Sequence, residues 1–510
     1  MIQEVRRLVL WSLASAVVAT GAVHGQGRGG GIWTTAGGDA QRTSWVRADP
    51  KISKESVQKP DFQFLWKRKL DGPPGQVNVL TQPVFSSPGF ITYKGFKGLA
   101  YVGGSADNVF SIDYDLNKPF WTTHLTTGST AVPTAACPGG LTTVTRSTPA
   151  GPTAGGRGRG GGRGGGDYVN TVSSGGMLHS LNPQTGADMI PPVKLLPANA
   201  RVVGSIVVEG VFYTATADNC GGAPNGVWAV DLTVAERPVT TWETKGGSVV
   251  GLAAPTFGTN GSIYVSTGSG SSPTSNAVVS LEAKTLTQKD WFSPGASAFV
   301  SAPVAFQHNT RDLIVAANRD GRLYLLDATS LGGADHKTPL VRSAQYSSAG
   351  DFASGLASWQ DTQGTRWILV SSAGPVPAGT SFPMSKGSVT NGAIAAFTLV
   401  DQNGTLTLQP QWTSRDLTSP LTPTIVNGVV FAVSSGEFRG GAQTTAAQRA
   451  QRSVPAVLYA LDAATGQQLW SSGTTVTSSA RGVGPVVNDS QVYVVTYDGT
   501  LYAFGFPTER

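Results

Sequence analysis

Cysteine and histidine are scarce in this 510-residue chain, which has two of the first and five of the second. The cysteines, Cys137 and Cys220, stand 83 positions apart, so no Cys-x-x-Cys-His haem attachment can be made. His24, His124, His179, His308 and His336 show no His-x-x-x-His spacing, which removes a helix-borne zinc site and leaves them as surface or packing residues. No contiguous Asp-x-Asp-x-Asp-Gly calcium loop is present. Charged residues make up only 13%, and beyond the first 25 positions no run approaches the roughly 18 to 20 continuous apolar residues of a membrane span. What is abundant is glycine, 65 residues, and proline, 31, the composition of a turn-rich all-β chain with few segments able to sustain a helix.

A repeated phrase organises that composition. The tail of the chain contains Val492-Tyr-Val-Val-Thr-Tyr-Asp-Gly-Thr-Leu-Tyr-Ala-Phe504, and its fullest relative is Leu458-Tyr-Ala-Leu-Asp-Ala-Ala-Thr-Gly-Gln-Gln-Leu-Trp470. Each unit reads as strand, Gly-rich turn, strand ending in Asp, Thr-Gly turn, and strand ending in Trp. Trp66, Trp121, Trp242, Trp291, Trp412 and Trp470 are separated by 55, 121, 49, 121 and 58 residues. Each 121 is two periods of about 60 whose middle Trp is missing, and the inner phrase survives there at Met177–Gly186 and Asp320–Asp327. Eight anchors result. After Trp470 there is room for three strands, and the orphan strand Asp61–Trp66 supplies the fourth, pairing beside Leu501–Phe504. This predicts an all-β, eight-bladed propeller of four-stranded antiparallel blades, one domain over residues 60–510, closed by its two ends.

The remaining regions are a signal peptide and an extension. Arg6 and Arg7 precede an apolar run from Leu8 to Val23, which reads as a signal peptide over residues 1–25, with the mature protein periplasmic or secreted. Residues 26–59 are left as an N-terminal extension. Cleavage removes one acid, Glu4, and two bases, Arg6 and Arg7, which takes the formal charge from +6 to +5. That value is a statement about solubility. Residues 155–166 hold three Arg among glycines and no apolar residue to pack, so they read as a disordered cationic loop; in an exported protein this excludes an RNA partner. Cys137 and Cys220 both sit in Gly-rich turns and are expected to pair in an oxidising compartment.

Ala460–Trp470 resembles the tryptophan-docking repeat of quinoprotein dehydrogenases and their non-enzymatic relatives, and Gly37-Gly-Asp-Ala-Gln-Arg-Thr-Ser-Trp45 is similar to the lead-in sequence of pyrroloquinoline quinone (PQQ) repeat proteins. The resemblance covers about residues 33–508 and is specific for architecture. It implies either a PQQ- and calcium-dependent oxidase of alcohols or sugars, or a protein-binding propeller like the lipoprotein of the outer-membrane assembly machine. The adjacent-cysteine ring of many alcohol-oxidising members is absent here, and so is a cysteine at residue 26 for lipid attachment, where Gln stands.

Loop lengths point to one face. Insertions at the Arg/Gly segment before Met177, at Ala217–Gly226, Gly268–Asn276, Ala373–Gly392 and Gly436–Pro455 are expected in turns between second and third strands, whereas the first turns, as at 426–428 and 487–491, stay short. The starts of the innermost strands border the funnel on that face and bring forward Asn78, Gln82, Arg201, Ser301, Asp351 and Arg481, with Arg319 and Asp320 on the rim. Arg groups there could read a tricarboxylate such as PQQ, with Asp351 the candidate base; a water-filled polar funnel is the alternative. The leading expectation is a monomeric platform binding a protein or small ligand on the long-loop face. The other is a PQQ-dependent dehydrogenase passing electrons to a separate acceptor, with metal ligands that cannot be assigned.

Overall fold

In the computed structural model the described residues are 32–507 apart from 71–79, 88–89, 126–133, 135–136, 138, 149–166, 349–354 and 440–444. The signal segment, residues 155–166, Asn78 and Asp351 lie outside them.

Eight small sheets form a ring. In chain order, blade 1 is Val84–Phe85, Leu99–Gly103, Asn108–Asp113 and Lys118–His124, and blade 2 is Val169–Val172, Met177–Leu181 and Val193–Lys194, with Thr145 bridging to Asn170 as its innermost contact. Blade 3 is Arg201–Val208, Val211–Ala217, Gly226–Asp231 and Val239–Glu243; blade 4 runs from Val249–Val250 and Thr256–Phe257 through Ile263–Thr267 and Val278–Leu281 to Gln288–Phe292. Blade 5 is Val304–His308, Arg311–Asn318, Arg322–Asp327 and Val341–Arg342, and blade 6 is Leu356–Gln360, Arg366–Ser371, Ile394–Gln402 and Thr405–Thr413. Blade 7 is Thr424–Val426, Val429–Ser434, Val457–Asp462 and Gln468–Ser471. Blade 8 takes Val486–Asn488, Gln491–Val495 and Thr500–Gly505 from the end of the chain and Gln63–Lys69 from its beginning. Phe64 pairs with Phe504 and Arg68 with Leu501, antiparallel, so the ring closes where the orphan strand required.

The apolar core is not central; it lies in the seams. Separate clusters fill the seams between blades 1 and 2, 2 and 3, 3 and 4, 4 and 5, 5 and 6, and 6 and 7, and one larger cluster joins blades 7, 8 and 1. A single blade is too thin to keep water from its own faces, so the seam is the unit that folds.

The repeated tryptophans work at these seams. Trp121 of blade 1 donates its indole N–H to Pro183 O at 2.9 Å, and Trp412 of blade 6 donates to Ala463 O at 2.9 Å. In both cases the acceptor lies three residues before the Gly of the next blade's Thr-Gly turn, and a Cβ on that Gly would meet the indole at 2.6 Å (Gly186) or 2.5 Å (Gly466). Both glycines have φ near +70°, so the position needs a residue free of Cβ for two reasons at once. Trp66 keeps the same acceptor position, Tyr114 O at 3.2 Å, with left-handed Asn117 in the glycine's place. Where Leu286 occupies that place, Trp242 turns to Gln288 Oε1 instead, at 3.3 Å. Trp291 stacks on His336, with centroids 4.4 Å apart. Blade 8 takes its outer strand from the N-terminus, and there Trp470 meets Phe62 edge-on at 4.9 Å.

The centre of the ring is filled by the lead-in segment, which the repeat count leaves outside it. The carbonyls of Trp33, Thr34, Ala40, Gln41, Thr43 and Ser44 accept from the amides of Phe85, Arg146, Phe257, Ala305, Ser358 and Ile425. Those amides belong in turn to blades 1, 2, 4, 5, 6 and 7. Thr35 Oγ1 reaches Ser205 O of blade 3 at 2.8 Å, and Asp49 accepts from Ser490 of blade 8. One continuous stretch of chain, from Trp33 to Asp49, therefore visits every blade. Arg42 is 2% exposed and donates to Thr35 Oγ1, Ala36 O, Ser205 O and Pro255 O. Burial pulls its pKa down to about 9, against the opposing pull of Asp39. Asp39, half-buried beside it, is raised by desolvation although Thr43 donates to it through both backbone and hydroxyl.

Candidate binding face

Each inner strand runs from one face, called upper here, to the other, and the second strand returns. Links between blades and turns between second and third strands thus share the upper face. Four insertions open there: 218–225 in blade 3, 268–277 in blade 4, 372–393 in blade 6 and 435–456 in blade 7. The Arg/Gly segment is a correction. Its described flanks are Thr148, at the end of blade 2's innermost stretch, and Asp167, two residues before the second strand Val169–Val172, so it joins first to second strand. The phrase at Met177 is the third strand of its blade, and Val169–Val172 is the second. A lower-side insertion, the hairpin Phe90–Thr92 and Gly95–Lys97, exposes Ile91, Tyr93 and Phe96. Nothing in its alternation separates it from blade strands, so sequence reading passes over it.

Cys137 and Cys220 form a disulfide with Cα atoms 5.4 Å apart. It ties the link into blade 2 to the upper-face insertion of blade 3, and the wide spacing in sequence maximises the loop it closes.

Among the described residues the polar candidates of the rim engage separate partners. Arg201 is exposed and ion-paired with Asp218, which also accepts from Ser248. Arg319 is exposed in the second turn of blade 5, beside Asp320, which binds Tyr324 at 2.7 Å and Arg342 at 2.9 Å. Ser301 is buried and accepts from the Ala317 amide. Gln82 is consumed by the lead-in segment: its oxygen faces Trp33 Nε1 and the Gly37 amide, and its nitrogen donates to Gly484 O at 3.0 Å. Arg481 approaches Glu437 at 3.5 Å.

Above the lead-in segment a cavity of about 30 Å³ remains, bounded by Gly37, Arg42, Ser44 and Gln82 and by small residues such as Gly355 and Gly484 at the starts of inner strands. Room of that size suits one or two waters, whereas small-molecule sites run to roughly 300 Å³ and more. Among the described residues its only cation is Arg42, already engaged with four acceptors, and no carboxylate lines it. Among the described residues no group of three His, Cys, Asp or Glu is placed to hold a metal ion. These residues do not fit a planar tricarboxylate quinone with its calcium.

Fold and face together define an eight-bladed β-propeller with a filled channel and one elaborated surface. Residues 409–508, which hold the end of blade 6, all of blade 7 and the C-terminal strands of blade 8, match the family described as Outer membrane protein assembly factor BamB. Over that stretch the chain is similar to the PQQ-repeat β-propellers. Similar solved structures include the quinohemoprotein alcohol dehydrogenase of Comamonas testosteroni (15% identity, TM-score 0.54, covering 94% of this chain and 81% of that one). Another is a europium-containing methanol dehydrogenase (11%, 0.57, 93% and 98%). A third is quinohemoprotein alcohol dehydrogenase ADHIIG of Pseudomonas putida HK5 (12%, 0.58, 94% and 81%). At these identities the likeness is one of fold. No curated protein sequence matches the chain.

Proposed function

We propose that this is an exported, monomeric binding platform whose upper, long-loop face takes a protein partner. The observation that carries the reading is the lead-in segment: with residues 33–46 bonded to inner strands around the ring, the place where a propeller of this size would house a cofactor is occupied by its own chain. Four of the blades carry long upper-face turns, and surface loops on a rigid scaffold are where recognition concentrates. No helix among the described residues is long and apolar enough to cross a membrane. The match to an assembly-factor family supports a protein partner over a small molecule.

A dehydrogenase would need the same channel to accept PQQ with calcium. Mixing purified protein with excess PQQ and Ca²⁺ and separating by gel filtration is expected to leave the quinone absorbance in the small-molecule fraction. Co-elution of one quinone per chain, followed by dye-linked alcohol oxidation, would reverse the reading.

A further inference from the structure

The insertion of blade 7 carries a charge arrangement that the platform reading alone does not explain. Glu437, at the upper end of the second strand, is buried, and three guanidinium groups surround it: Arg439 at 3.2 Å, Arg449 at 3.8 Å and Arg481 at 3.5 Å. They come from three places in the chain. Arg439 follows Glu437 in the same loop; Arg449 sits on the short helix Ala446–Arg452, started by a Thr445–Gln448 capping box; Arg481 lies on the link into blade 8. Two aromatic faces border the group, Tyr497 under Arg481 at 5.6 Å and Phe438 under Arg452 at 3.7 Å.

One carboxylate cannot satisfy three guanidiniums. At 3.5 and 3.8 Å the contacts of Arg481 and Arg449 exceed the roughly 2.7 to 2.9 Å of a charge-assisted hydrogen bond, so their N–H groups are held near Glu437 without being used by it. Arg449 Nε is buried with no hydrogen-bond partner. Burial, with Arg481 and Arg449 adding to it, lowers the Arg439 pKa to about 10 although Glu437 opposes this; a second anion would relieve the crowding. Arg481 and Arg449 remain 40% and 31% exposed, so part of each side chain is reachable from solvent.

We propose that Arg439, Arg449 and Arg481 form a receptor for an acidic segment of a protein partner, with Glu437 holding the guanidiniums in register. This inference rests on the platform reading. Arg reads carboxylates through paired donors, and aromatic shelves beside it accept the stems of extended side chains. A site on the outer loops, open to solvent, suits a peptide better than an enclosed metabolite.

The test uses a fluorescein-labelled Glu-Asp hexapeptide and its Gln-Asn counterpart, titrated against the full mature protein by anisotropy at low and physiological salt. Wild-type protein is expected to bind the acidic peptide and not the neutral one, with affinity falling as salt screens the contact. Arg449→Glu/Arg481→Glu should weaken binding by about tenfold or more. Lys59→Glu/Lys118→Glu, an equal change of charge at exposed positions, should leave it unaltered. Arg449→Gln/Arg481→Gln gives the same comparison if charge reversal prevents folding. Equal loss in the lysine control, or no binding at millimolar peptide, overturns the receptor without touching the platform reading, which the quinone experiment decides separately. Binding of citrate with no binding of the peptide would also overturn it, in favour of a free small carboxylate.

Discussion

Arg42→Met should destabilise the fold by about 3 to 5 kcal/mol, measured as a shift in the urea unfolding midpoint. The substitution keeps most of the side-chain volume and removes every donor. Three acceptors, Thr35 Oγ1 and the carbonyls of Ala36 and Pro255, then stay buried without a donor, and Ser205 O keeps only Thr35 Oγ1. Each such loss costs roughly 1 to 3 kcal/mol, and part is recovered by relaxation or water. Asp39 loses a favourable neighbour too, so its already raised pKa moves further up. A loss under about 1 kcal/mol, the size of an ordinary surface change, would mean that the segment is not seated in the channel.

The second large effect belongs to a docking tryptophan. Trp412 is 0% exposed, and its ring lies against Gly466 while its N–H meets Ala463 O. Trp412→Ala should cost about 3 to 5 kcal/mol, the range for emptying a buried aromatic site. Trp121→Ala, at a half-buried copy of the same dock, should cost clearly less. Urea titration of both variants checks the ordering; equal costs would show that the seams do not share one docking rule graded by burial.

Much of the architecture was legible because its physics is periodic. A Trp that must lie on the next blade's turn recurs at the blade period, and two skipped intervals could be counted because the Leu-Asp phrase persisted. The orphan strand at Asp61–Trp66 was readable as the closing strand for the same reason, and it pairs with the last strand. Residues 33–46 follow no such rule. Gly37, Asp39, Gln41, Arg42, Thr43 and Ser44 look like a solvated loop, yet most are buried, held by backbone groups of inner strands that no hydropathy pattern reports. Their one signal was the likeness of Gly37–Trp45 to the family's lead-in. The sequence assigns the Arg/Gly segment to the wrong pair of strands because blade 2 lacks a terminal Trp, leaving strand order within the blade unfixed. At the rim, sequence located Arg201, Arg319 and Arg481 but not their neighbours, and Asp218 and Glu437 decide what those cations do. Glu437, Arg439 and Arg449 went unnoticed because they converge only through the fold.

Hydrogen exchange tests most directly the claim that the channel is structural and the face functional. The amides of Phe85, Arg146, Phe257, Ala305, Ser358 and Ile425 donate to the lead-in segment. Followed by NMR or mass spectrometry with and without excess PQQ and Ca²⁺, they are predicted to exchange as slowly as the other inner-strand amides and to be unchanged by the additions. Rapid exchange of these six amides, or a change in their protection when quinone is added, would contradict it.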